Sequence, residues 1–447
     1  MNESEIRKDA PLPQSANEVV EHLFRHEAGK MVAMLTGIFG TEHLGLAEDV
    51  VQETLARAVQ TWPYYGVPKN PAGWIMQAAK NLALDAIRRE KNFRSKEEQI
   101  ISFLEQGFVE EQVNSLDNEI HDERLRLIFV CCHPVVPHDT QVALALRTLC
   151  GFSNAEIAKA FLTTEVAMAK KLTRAKQTIR DAKVAFEIPV GPALSQRLDA
   201  VLQTLYLLFN EGYRASTGTK LVRNDLCDEA IRLAQLIVEH AACNQPRTHA
   251  LLSLMLLNAA RFATRVDGEG NILRLGEQDR TQWDKRMIAR GLFHLAQSAS
   301  GNDVSAYHLQ AGIAASHCAA PDYRSTDWAN ILALYNQLVC IDDSPVVALN
   351  RAVAVAKVHG PRAGIAAVEA IRQLKKLESY SLLYAVLGEF ESQLNNLSIA
   401  AAHFQRAAQL TEIPSERTFL LQRFRACASP ACLRASSHER QRQPSSR

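Results

Sequence analysis

The stretch Ser153 to Arg180 reads SNAEIAKAFLTTEVAMAKKLTRAKQTIR. Its spacing predicts two short helices about a tight turn. Ser153 and Glu156 have the separation of a capping box, in which the serine hydroxyl and the glutamate carboxylate each satisfy a free amide at the helix start. Ile157, Ala158 and Phe161 then face inward. After Leu162 and Thr163, a second helix sets Met168, Leu172, Ala175 and Ile179 on one stripe, spaced by three or four residues. Lys170, Arg174 and Gln177 point away from it. A charged outer face of this kind is usually solvated surface. With the apolar helix QVALALRTL before it, the same pattern reads as a helix-turn-helix, whose second helix enters the major groove by its first turns. Thr164, Glu165, Lys170 and Lys171 would then reach base edges, while Arg174 and Lys176 would pair with phosphates.

The same helical periodicity runs through the chain and no convincing alternating strand interrupts it, so the expected fold class is all-α. At 447 residues, and with roughly 100 to 200 residues per domain, two to four domains are expected. Hydrophobic residues at 47% and charged residues at 22% give a soluble globular balance. The formal net charge is only +1, so any nucleic-acid surface must be local. The start, MNESEIRKDAPLPQSAN, is polar, and no window offers about 18 uninterrupted apolar residues. A cytoplasmic location without membrane contact follows as an expectation. Nine cysteines without a regular framework read as reduced, mostly buried thiols. Cys131-Cys132-His133 lacks the usual metal-ligand spacing and ends the apolar helix LRLIFV, so neither metal nor cofactor is expected.

Charge is segregated. Between Lys80 and Lys96 lie six basic residues, Lys80, Arg88, Arg89, Lys91, Arg94 and Lys96, against Asp85 and Glu90. Between Glu165 and Lys183 lie six more, against Glu165 and Asp181. The segment between the two, residues 97–123, holds nine acids and no Lys or Arg. It reads as a solvated linker. Two basic modules tethered by an acidic strip suit a protein that touches DNA at two places. A further break is expected at IPVGPALS, Ile188 to Ser195, ending the helix that begins near Glu165.

Ahead of the linker, Ala47, Val50, Val51, Thr54, Leu55, Ala58 and Trp62 form one apolar helical face, with Glu48, Asp49, Gln52, Glu53 and Arg57 on the other. A second helix opens at Pro71 and runs NPAGWIMQAAKNLALDAIRREK. Ile75, Ala78, Ala79, Leu82 and Ala86 make its buried stripe, leaving Lys80, Asn81, Arg88 and Arg89 available to DNA. AEDVVQETLARAVQTWP followed by PAGWIMQAAKNLALDAIRRE resembles region two of extracytoplasmic-function (ECF) sigma factors of the sigma-70 family.

That resemblance implies that Asp49, Gln52 and Glu53 dock on the clamp helices of core RNA polymerase. It also implies that the helix from Trp74 to Arg89, with Asn81 at the family's polar base contact, engages the melted minus-ten element. The segment Pro63 to Asn70, PYYGVPKN, would lie where the family captures a flipped base. Its two tyrosines can stack on that base, and ordinary packing between helices explains them equally well. The helix-turn-helix then resembles region four, the reader of the minus-35 element. The expected partners are core polymerase, at its clamp helices and flap, and promoter DNA. The acidic strip would thread the polymerase's RNA channel.

These modules occupy residues 18–96 and 124–187. A C-terminal extension over 195–428 and a disordered tail over 429–447 follow. Tyr384, Leu387, Gly388, Ala400, Phe404 and Ala407 match the tetratricopeptide pattern, with Pro414 two residues late. A degenerate helix pair precedes them at Pro345 to Leu374, giving repeats over about 345–414. The strings LFNEGY, DLCDEAIRL, LGEQDRTQWD and STDWANILALYNQL, with CCHP, resemble the sigma subgroup that carries such an extension, so the resemblance spans about residues 18 to 425.

Glu211, Asp279, Arg280, Trp283 and Asp284 either line a pocket for a small ligand or regulatory protein, or form a structural ion-pair network. No nucleotide loop, nucleophile elbow or HExxH motif occurs. His308 and His317 stand without a nucleophile, so an enzyme is not expected. The alternative to a sigma factor is a helix-turn-helix regulator with a helical sensing domain, a reading that leaves the Asp49 to Arg89 helices without a role.

Overall fold

The computed structural model describes residues 27–89, 123–161, 163–214, 222–241, 243–268, 271–301 and 303–428. Among them every regular element is helical, apart from one isolated bridge between Val266 and Ile272. Residues 18–26, the acidic strip up to residue 122 and the tail 429–447 lie outside the described residues. No described helix is long and apolar enough to cross a membrane. The described cysteines are all free thiols.

The chain divides into two compact units, Met1–Thr204 and Leu205–Arg447. In the first, α1 (Ala28–Phe39), a 3-10 turn (Thr41–His43), α2 (Leu44–Tyr65) and α3 (Pro71–Arg89) precede a helix α4 over residues 123–131. Then come α5 (His138–Cys150), α6 (Asn154–Ala160), α7 (Glu165–Asp181) and the start of α8 (Pro192–Tyr213). The apolar spacing of each helix gathers Met31, Leu35, Phe39, Leu44, Val51, Leu55, Leu127, Ile128, Phe129, Leu144 and Leu146 in the interior. Helix α1 packs on both α2 and α5, and α7 packs on α5, α6 and the 3-10 turn.

Two local details depart from the sequence reading. Pro63 sits inside α2 rather than opening a loop; the helix continues to Tyr65 and ends at Gly66, whose φ of 83° favours glycine. Helix α7 stops at Asp181, before the Pro-Gly-Pro break. Lys183 takes a left-handed φ of 47°, and the Val184 amide donates to the Ile179 carbonyl across the helix end at 3.4 Å. Val184 itself is buried, so the stop is a hydrophobically anchored left-handed cap built without glycine.

The second unit continues α8 and adds α9 (Asn224–Glu239), α10 (Pro246–Ala259), α11 (Lys285–Ser298), α12 (Ala306–Ala319), α13 (Trp328–Ile341), α14 (Pro345–His359), α15 (Pro361–Glu369), α16 (Ser381–Gln393), α17 (Leu397–Leu410) and α18 (Pro414–Ala428). From α12 onward the helices pack mainly on those next to them in sequence, while α10 packs on both α11 and α12, and α12 meets α10 more closely than it meets α11. This near-neighbour stacking is the physical pattern of helical repeats, each hairpin covering the apolar face of the next. Small residues set the spacing. A Cβ on Gly388 of α16 would lie 3.0 Å from the buried Phe404 ring of α17, so the two helices meet in a tight contact at this glycine.

Candidate nucleic-acid and polymerase interface

Within α2, burial of Val50, Val51, Leu55, Ala58 and Trp62 turns Asp49, Gln52 and Glu53 to the surface. Glu53 pairs along the helix with Arg57 at 2.6 Å. Asp49 borders a cleft with Glu42, His43, Ala86, Thr173, Lys176, Gln177 and Arg180. Partial burial there raises the Asp49 pKa above its ordinary value; Lys176 pulls it down and Glu48 pushes it up.

At the far end of α2, Trp62 is buried and Trp74 of α3 meets it edge-on, with ring centroids 5.5 Å apart. Trp74 is therefore half-buried, anchoring α3 through its aromatic edge. Tyr64 and Tyr65 are 84% and 86% exposed and leave their rings free for stacking. Along α3, Ile75, Ala79 and Ala83 are fully buried. Asn81 is exposed and accepts a hydrogen bond from Gln77, while Lys80 is half-buried. The side chains of Arg88 and Arg89 lie outside the described ones.

The second module is built as its caps dictate. The Ser153 amide donates to Glu156 at 2.7 Å, and the Glu156 amide donates to the Ser153 hydroxyl at 3.1 Å, closing the box at the start of α6. Thr164 caps α7, its hydroxyl accepting from the Ala167 amide at 3.3 Å. Met168, Leu172, Ala175 and Ile179 are buried. Glu165, Lys170, Lys171 and Arg174 are exposed, and the three cations have no ion pair among the described residues.

Lys176 departs from that pattern. Its ammonium rests on the carboxylate of Glu48, which is itself buried and accepts the Thr148 hydroxyl at 2.6 Å. The structure thus moves Glu48 off the solvated side of α2 and Lys176 off the open face of α7. Both hold α2, α5 and α7 together. Nearby, a Cβ on Gly29 of α1 would fall 2.0 Å from the Leu149 carbonyl oxygen, and Thr41 donates its hydroxyl to the Val184 carbonyl. The signal for Glu48 was present in the sequence: it stands four residues after Leu44, three before Val51 and seven before Leu55, on the apolar stripe.

In the second unit the sequence-selected residues do not form one ion-pair network. Asp279 and Asp284 are exposed caps, accepting from the amides of Thr281 at 3.0 Å and Met287 at 2.9 Å. Glu211 faces Arg223 at 3.8 Å. Trp283 is buried, its indole donating to the Thr264 hydroxyl at 2.9 Å. Arg280 donates to the carbonyls of His317 and Ala320, both at 2.8 Å, and to Thr326 at 2.9 Å. His308 is occupied in a helix cap with Ser305. Burial pushes the Cys132 thiol up to about 12 despite hydrogen bonding from Thr204, so it is a poor thiolate.

Residues 23–93 match the sigma-70 region 2 family, and residues 197–299 match a family of unknown function, DUF6596. The first match gives this part of the chain, on helices whose acidic and polar faces stand open as described, a sigma-70 region 2, which supports a sigma-70-family RNA polymerase sigma factor. The chain belongs to the same family as an uncharacterized protein of Rhizobium meliloti (strain 1021). The two are 38% identical over 392 residues, covering 87% of this chain and 92% of the relative. No solved structure matches.

Proposed function

We propose that this protein is a sigma factor of ECF type that brings core RNA polymerase to one class of promoters. Asp49, Gln52 and Glu53 on α2 dock on the clamp helices. Helix α3, presenting Asn81 and Lys80 and anchored by Trp74, holds the melted minus-ten element with Arg88 and Arg89. Helices α6 and α7 act as a region-four helix-turn-helix at minus-35, with Thr164 and Glu165 at the entering end and Lys170, Lys171 and Arg174 on bases and phosphates. Lys176 is assigned to the packing with Glu48. The C-terminal extension, with tetratricopeptide-like hairpins over α14–α17, supports that activity. The chemistry is binding, with no covalent step by this chain.

The observation that carries the reading is the exposed cationic edge of α7, without ion pairs among the described residues, opposite a buried stripe in a chain that also matches sigma-70 region 2. Transcription by purified core polymerase from genomically selected promoters tests it. The full chain should give initiation well above core alone. Lys170→Glu with Arg174→Glu should remove promoter recognition and keep core binding; Asp49→Lys with Glu53→Lys should do the reverse. Equal loss of both functions in each pair would overturn the surface assignment, and no initiation by the full chain would overturn the sigma reading.

A further inference from the structure

Arg261, just after α10, lies between two other arginines: it acts electrostatically on Arg280, at the start of the 3-10 turn Arg280–Gln282, and on Arg265. The guanidinium of Arg261 lies 5.3 Å from the Trp283 ring and that of Arg280 5.0 Å from the same ring. Arg265 stacks 3.8 Å over Tyr213 and donates to the Tyr213 carbonyl. Neutral groups take up most of this charge. Arg280 spends its terminal nitrogens on two carbonyls and Thr326, and the Arg261 guanidinium has no hydrogen bond or ion pair among the described residues. The Nε atoms of Arg261 and Arg280 and the Nδ1 atom of His317 are buried without a partner. Asp322 is the carboxylate that acts on Arg280, but it is exposed and bonded to Ser325.

Three like charges gathered around buried, unpartnered nitrogens repel one another and lower the stability of the empty arrangement. An anion with several acceptor oxygens relieves both penalties. We propose that this junction binds a small phosphate-bearing anion through Arg261, Arg265 and Arg280, with Trp283 and Tyr213 as the walls that orient the guanidinium planes. A phosphate group carries about −1.5 to −2 near neutral pH and offers three oxygens to guanidinium forks, against a single charge on a carboxylate. The electrostatics agree. Burial raises the Tyr213 pKa while Arg261 and Arg265 lower it, and the net direction is down, as befits a site of uncompensated positive charge.

The test uses the full chain and inorganic phosphate, with acetate at matched ionic strength, read by titration calorimetry and by the shift in unfolding temperature. Phosphate should bind and raise the unfolding temperature, and acetate should do neither. Arg261→Gln should weaken phosphate binding about tenfold or more, since a charge-assisted contact is lost. Arg362→Gln, an exposed site elsewhere, should leave it unchanged. Without phosphate, Arg261→Gln should be as stable as the native chain or more so, because a repelling charge is gone. If circular dichroism shows that this variant fails to fold, Arg265→Gln is read the same way. Phosphate binding that is absent, or identical in the native chain and the arginine variants, overturns the site; equal binding of acetate overturns the phosphate assignment. The site is independent of the promoter reading, and transcription assays do not enter its test.

Discussion

His317 is a buried imidazole with a pH consequence. Burial, reinforced by Arg261 and Arg280, holds its pKa down to about 3, and burial with His249 and Arg290 holds His294 down to about 4. In the unfolded chain each ring takes up a proton near its ordinary value of about 6.5. Stability from these groups is therefore complete above that value and drains away as pH falls toward 4 and then 3. His317, the more enclosed of the two, contributes on the order of a few kcal/mol to this loss. Replacing it by Asn should flatten the acid limb of a urea-midpoint profile between about pH 6 and 3, and an unchanged limb would show that His317 is protonated in the native state. Such environments were only partly legible in the sequence. Glu48 occupied an apolar-stripe position, yet its charge suggested solvent, because a periodic pattern does not name a partner 100 residues away such as Thr148. Asp49, Gln52, Glu53, Lys170, Lys171 and Arg174 were legible as exposed, since their neighbours at helical spacing are apolar.

At the scale of the element, helices and their starts were written locally and their ends less so. Pro71 opens α3, the Ser153–Glu156 box opens α6, and Asp327 and Ser344 cap α13 and α14 through their own side chains. These are contacts between residues a few positions apart, which a sequence displays directly. The end of α7 is different. Lys183 adopts the left-handed conformation because burying Val184 after it anchors the turn, and that burial depends on residues far away in the chain. Only the next breaker, Pro189, was visible. Lys183→Gly should therefore stabilise the chain by about 0.5 to 1 kcal/mol, since glycine adopts this conformation without a Cβ penalty. Chemical denaturation at neutral pH measures it. A destabilised glycine variant would mean that the lysine side chain, more than its backbone, secures this end.

On the scale of the whole molecule, the Pro-Gly-Pro break at residues 189–192 marks where α8 starts, while the division between compact units falls inside that helix, after Thr204. No turn residue marks the division because the helix passes through it unbroken. The first half of α8 is bonded to the N-terminal unit: Arg197 donates to the Phe129 carbonyl at 3.3 Å, and the Thr204 hydroxyl meets the Cys132 thiol. Leu194, Leu198, Val201 and Leu202 are buried along it. A fragment ending at Pro189 discards this burial, at roughly 1.5 to 3 kcal/mol for each fully buried side chain, whereas one ending at Thr204 keeps it. The longer fragment should unfold at clearly higher urea than the shorter. It is then the fair probe of the extension, because any loss of activity in the shorter one mixes regulation with instability. If the extension supports initiation, the fragment ending at Thr204 should bind core polymerase about as well as the full chain and transcribe far more weakly. Equal transcription would remove the supporting role, and stronger transcription would make the extension an inhibitor.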